Sequence, residues 1–186
     1  HIAGLHILVK HKFIKNLTIC GGKGARKILN TFVNKPFTVP LKQLPYPVKV
    51  LELPSEKAQL PFDCQTLPLV HADPVLGYRL QVEGKTIAYV TDTGYCANAL
   101  KLARGADLLL AECSHSPGET NPGWPHFNPA TVAQIAKEAG VKRLVMTHMS
   151  ADRYRTPAAR AAALKITRGI FPKTFTARDG MSLVLR

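Results

Sequence analysis

The chain has 186 residues, is 46% hydrophobic and carries a formal net charge of +13. That length and apolar content suit one globular domain with a real core; no run approaches the ~18 apolar residues of a membrane span, and no signal-peptide pattern opens the chain. Residues 1–50 hold nine Lys/Arg and no Asp/Glu, whereas residues 151–186 hold eight basic and two acidic residues. Two basic ends around a balanced middle favour a polyanionic partner such as RNA, through phosphate contacts and counterion release. A merely solvated basic surface is the competing reading. Cys20, Cys64, Cys96 and Cys113 are widely spaced, as reduced thiols of a cytoplasmic protein would be.

In chain order, a short apolar stretch precedes a strand at Leu17–Cys20, and GARKILNTF reads as a short helix. The turn CGGKGARK lacks the spacing of a nucleotide phosphate loop and reads as a glycine-rich strand-to-helix turn, whose backbone amides with Lys23 and Arg26 could touch an RNA phosphate. Residues 36–61 are proline-rich and read as extended segments and turns. Leu67–Val70 is a strand ending at His71. Tyr78–Val82 and Thr86–Val90 form a hairpin around Glu83-Gly84. From there strand and helix alternate: a helix in CANALKLARG, a strand in ADLLLAE, a helix after His126 with Pro129 in its first turn and Gly140 past its end. A strand in VKRLVMTH, a helix in TPAARAAALKITRGIF and a final strand in TARDGMSLVLR complete the chain. The second half is therefore α/β.

The residues where the apolar strands stop form a series. TLPLV ends at His71, TIAYVT at Asp92, ADLLLA at Glu112 and KRLVMT at His148. In layered α/β proteins functional groups gather where strand ends meet loops. Imidazole and carboxylate are ligands favoured by divalent transition metals. One strand-end histidine is more often a satisfied polar residue; a His, Asp and His in succession favour a metal site. His126, before its helix, is either a turn residue or a general acid for a leaving oxygen.

VTDTGYCANALKLARGADLLLAECSH and PHFNPATVAQIAKEAGVKRLVMTHMSADRY resemble the second half of the metallo-β-lactamase fold. Within that superfamily they are most similar to ribonuclease Z, the zinc endonuclease that trims tRNA precursors at the 3′ end. The resemblance runs from about His71 to the C-terminus. It implies an αββα sandwich, of which this chain holds a single domain with its N-terminal part incomplete. It also implies two divalent metal ions, zinc by ligand type with manganese as the alternative. His71 and His148 would be ligands, Asp92 would bridge the metals, and His126 would protonate the leaving group. Glu112 matches the strand-end acid that orients a histidine. Arg153 and Tyr154, in SADRY, resemble, with one extra residue, a segment after the last ligand that would contact substrate phosphate; a surface loop is the competing reading. Trp124 either lines the pocket or packs its loop; His115, close behind Glu112, either approaches the site or, by default, is a loop histidine.

Two departures qualify the resemblance. The family's HxHxDH motif is absent, although HIAGL resembles the stretch just after its aspartate, which would make His1 its last histidine. The arm that grips tRNA is also absent, because His71 and Asp92 are only 21 positions apart. The leading expectation is thus a metal-dependent RNA phosphodiesterase, with tRNA precursor as the family's substrate. The alternatives are a hydrolase of a small or cyclic phosphodiester or another ester, and a non-catalytic RNA-binding fragment. No membrane partner is expected, and the family's habit of dimerising leaves a homodimer open.

Overall fold

The computed structural model describes residues 2–10 and 15–185. They fall into two compact units that meet in sequence between Pro61 and Phe62. The first contains a 3-10 helix, Ile2–Lys10, then β1 (Leu17–Gly21), α1 (Ala25–Phe32) and β2 (Val48–Glu52), with 3-10 turns at Leu41–Gln43 and Lys57–Gln59. Strands β1 and β2 pair in parallel. A parallel pair needs a long crossover, and α1 with the proline-rich segment after it supplies one. Leu8, Leu29, Val33, Leu41, Leu44 and Tyr46 form this unit's own core.

The glycine-rich turn leads from strand to helix as expected, but its basic residue is engaged. Glu52 Oε1 accepts the Arg26 backbone N–H at 3.0 Å, at the start of α1. The Arg26 guanidinium donates to Glu56 at 2.6 Å and to the Val50 carbonyl at 2.8 Å. A carboxylate already sits where a phosphate was expected at Arg26.

The second unit is one six-stranded sheet, ordered β3 (Asp63–Pro68), β4 (Leu76–Val82), β5 (Lys85–Val90), β6 (Leu108–Glu112), β7 (Leu144–Thr147) and β8 (Thr174–Thr176). Strands β3, β4 and β5 are antiparallel neighbours; β5 to β8 run parallel. Helices α2 (Ala97–Ala103), α3 (Pro129–Glu138) and α4 (Pro157–Ile170) make the three crossovers. Because strands 5 to 8 are added in sequence order, right-handed crossovers place all three helices on one face. The registers agree: Ala88, Leu109 and Leu144 form one buried row, and Val90, Ala111 and Met146 the next. Burying each of these leucines contributes about 1.5–3 kcal/mol. Among the described residues no helix is long and apolar enough to cross a membrane.

Local signals set the boundaries. Glu83 and Gly84 have φ of 50° and 73°, which a tight two-residue hairpin turn requires. Asn128 caps α3 by accepting the N–H groups of Ala130 and Thr131, both at 3.0 Å, with Pro129 behind it. Two expectations need correction. The strand before His71 is Asp63–Pro68, not Leu67–Val70, because it pairs with β4 from its start. The last strand is Thr174–Thr176, and residues 177–185 carry none. Its partner β7 is only four residues long, and the chain turns away at Gly180, φ 75°.

Candidate functional site

Strand direction assembles the site. β5, β6 and β7 are parallel, so their C-terminal ends share one edge of the sheet. β3 and β5 are both antiparallel to β4, so β3 points to the same edge. Asp92, Glu112 and His148 therefore emerge together. His71 lies three positions beyond its strand and is returned by a second device. The Val70 N–H donates to Thr93 Oγ1 at 3.1 Å, and the Gly94 N–H donates to the Val70 carbonyl at 3.0 Å. The threonine and glycine after Asp92 thus tie the His71 segment to the strand end.

Asp92 and His148 are both held at positive φ, 54° and 48°. Non-glycine residues rarely adopt this conformation, and it concentrates at functional sites. Asp92 Oδ1 lies 3.0 Å from His148 Nδ1. That oxygen is buried and accepts no well-formed hydrogen bond among the described residues, the arrangement expected of a ligand atom turned toward a cation. Glu112, His126 and His148 form a second such grouping, with ligand atoms within 4.8 Å of one another.

Within that grouping the two partners from β6 and the loop after it already satisfy each other. Glu112 Oε1 and His126 Nδ1 are 2.6 Å apart in a hydrogen bond, both side chains being almost fully enclosed. The Thr93 N–H donates to Glu112 Oε1 at 2.9 Å and the Ser114 N–H to Oε2 at 2.8 Å. Burial pushes the Glu112 carboxyl up to about 8 against these amides, and the Asp92 charge adds to the rise. Burial also lowers His126, with the nearby His71 charge in the same direction. It lowers His148 too, against the pull of Asp92. Both shifts favour the neutral imidazole at His126 and His148, the form that binds metal. The His71 and His126 rings stand edge to face, centroids 5.3 Å apart. Trp124, half exposed, packs 5.4 Å from His71.

His71, Asp92, Glu112, His126 and His148 are therefore brought together, while His1 lies outside the described residues. Tyr154 is placed differently from its sequence reading. It is 2% exposed and its hydroxyl donates to the His115 carbonyl oxygen, so it faces the interior and not a substrate. Arg153 is forked onto Glu119, with Nε to Oε2 at 2.6 Å and Nη2 to Oε1 at 2.5 Å. The sequence left His115 a loop histidine by default, with an approach to the site as the alternative; it is 1% exposed with its ring 5.4 Å from that of His126. Its Nε2 is 3.1 Å from the Trp124 carbonyl oxygen. Only its closeness to Glu112 in sequence hinted at this. Gly94 has a packing reason as well: a Cβ there would stand 2.8 Å from the Pro125 Cβ, next to His126.

A sheet edge with this donor set, on this fold, defines a metallo-β-lactamase-type domain, and residues 1–149 match the family model described as β-lactamase superfamily domain. The chain belongs to that superfamily. Its curated relatives include ribonuclease Z of Synechococcus sp. (strain CC9605), 40% identical over 104 residues, which are 54% of this chain and 32% of that protein. Ribonuclease Z of Lacticaseibacillus casei (strain BL23) is 41% identical over 98 residues, 52% of this chain and 30% of that protein. The match to these relatives spans about a third of their length. Among solved structures, the metallo-β-lactamase fold protein YhfI from Bacillus subtilis superposes with a TM-score of 0.74 at 22% identity, covering 97% of this chain and 71% of that one. The short form of human tRNase Z gives 0.66 at 20% identity, covering 97% and 72%. These likenesses establish the fold.

Proposed function

We propose that this chain is part of a metal-dependent phosphodiesterase of ribonuclease Z type that hydrolyses RNA, and that its two compact units belong to one metallo-β-lactamase-like domain. The observation that carries the reading is the buried Glu112–His126 pair, joined at 2.6 Å, beside Asp92 Oδ1, which accepts no well-formed hydrogen bond among the described residues. The likeness in sequence to proteins named ribonuclease Z supports it. The donor set fits a divalent ion. Asp92, His148 and His71 would hold it, with His1 as a further ligand by resemblance; zinc matches the nitrogen and oxygen donors and manganese is the alternative.

When bound, a divalent pair would supply a nucleophilic water at neutral pH and positive charge for the phosphate oxygens. The remaining chemistry falls to the protein. Glu112 fixes the His126 ring through Nδ1, which leaves Nε2 as the nitrogen that can deliver a proton to a leaving oxygen. Burial of both side chains keeps water from competing for that hydrogen bond. The decisive measurement is hydrolysis of bis(p-nitrophenyl) phosphate with metal content determined on the same sample. Turnover that disappears on chelation and returns with zinc or manganese supports the reading. Metal-loaded protein that leaves the diester intact, or prefers a thioester, refutes it.

A second reading has its own observation. Only the tight β4–β5 hairpin separates His71 from Asp92, with no arm to grip a large RNA. A small or cyclic phosphodiester is the substrate class this favours. Faster turnover of a cyclic dinucleotide or cyclic mononucleotide than of a tRNA precursor would select it.

A further inference from the structure

The loop that carries His126 and Trp124 covers residues 113–128, between β6 and α3. Loops this long without secondary structure are uncommon in compact domains, and this one must present its histidine accurately. We infer that Arg153, Glu119 and His115 form a clamp that positions His126, and that Arg153 acts through this clamp and not by touching substrate. The role of His126 as proton donor is taken from the function proposed above.

The clamp works inward from the surface. Arg153, just after the last strand-end histidine, grips both oxygens of Glu119. This fork-to-fork geometry is specific to arginine. Glu119 Oε2 also accepts the Ser116 N–H at 2.9 Å, and Glu119 Oε1 lies 3.4 Å from His115 Nδ1. The Glu119 carbonyl accepts from Asn128 Nδ2 at 3.0 Å, the residue that caps α3 two positions after His126. Buried His115 then reaches the other side of the loop. Its backbone N–H donates to the Phe127 carbonyl at 3.0 Å, its Nε2 meets the Trp124 carbonyl oxygen, and its ring stands at 82° to that of His126. Tyr154 closes the circuit by donating to the His115 carbonyl. One short segment after β7 thus fixes both ends and the middle of the loop. An isolated surface ion pair contributes little and would have no such reach.

Two readouts test this in Arg153→Ala and in the nearly isosteric Glu119→Gln, the second guarding against misfolding of the first. Trp124 is the chain's only tryptophan, so time-resolved anisotropy reports this loop without any need for activity. The amplitude of its sub-nanosecond motion should at least double in either variant. In the metal-loaded protein, turnover of a diester with an alkyl leaving group should fall about tenfold relative to that of bis(p-nitrophenyl) phosphate. Nitrophenolate departs without a proton, so only a mispositioned His126 produces that bias. Arg153→Lys keeps the charge but not the fork, and should not restore the ratio. An unchanged anisotropy, an equal loss on both substrates, or full rescue by lysine would each overturn the clamp. Absence of diester turnover in the unmodified protein would refute the phosphodiesterase reading instead, and the anisotropy alone would then judge the clamp.

Discussion

Positive φ at Asp92 and His148 costs on the order of 1 kcal/mol or more at each residue. The fold sustains that cost because the residues on either side are fixed, Val90 and Met146 in the buried rows and Thr93 by its N–H bond to Glu112. The same rigidity sets the geometry of the Glu112–His126 pair. If His126 delivers a proton, His126→Ala should slow hydrolysis of alkyl phosphodiesters by about 10²–10⁴-fold and leave p-nitrophenyl diesters far less affected. Glu112→Gln should give the same bias with a smaller loss, since the ring keeps its nitrogen but loses its orienting carboxylate. Steady-state rates against leaving-group pKa check this; parallel losses across the series would mean that His126 acts only by holding the site together.

At the scale of elements, the sequence showed most of what builds the site. Proline at the start of α3, glycine beyond its end and the Glu83-Gly84 turn are local signals, and local physics honours them. Asp92, Glu112 and His148 could be read because a chain must leave the sheet edge where its apolar run ends. What could not be read is non-local. His71 stands three residues past its strand and is returned by Thr93 and Gly94, a contact no spacing announces. Arg153 and Glu119 are 34 positions apart, so Arg153 looked free to meet a phosphate. Their pairing makes a pH prediction. The Arg153 hydrogen bonds hold the Glu119 carboxyl down to about 2, below its ordinary 4.5. A lowered carboxylate pKa adds stability that is present above the ordinary value and lost as pH falls toward the folded one. Wild type should therefore melt above Glu119→Gln at neutral pH, and the gap should close between about pH 4.5 and 2. Melting curves of the two proteins across that range decide it; a gap independent of pH would mean that packing, not charge, is what the substitution removes.

On the scale of the whole molecule, the basic bias and the strand-edge site make separable demands. The +13 charge comes from the two ends of the sequence, whereas the edge residues are histidines and carboxylates. If the charge serves to collect RNA, binding should depend on phosphate contacts and cleavage on the edge. Single-stranded RNA should bind with an affinity that falls with salt, log K changing by about −0.7 per phosphate contact for each unit of log salt. Chelation should abolish hydrolysis and leave that binding nearly intact. Arg26 and Arg153 should contribute little to the salt slope, because Glu56 and Glu119 already neutralise them. Fluorescence anisotropy of a labelled oligoribonucleotide, titrated with salt in the presence and absence of chelator, measures each quantity. Binding that disappears with the metal would place RNA recognition at the edge itself. The basic ends would then be a solvated surface, and the armless hairpin between His71 and Asp92 would point to the smaller phosphodiester.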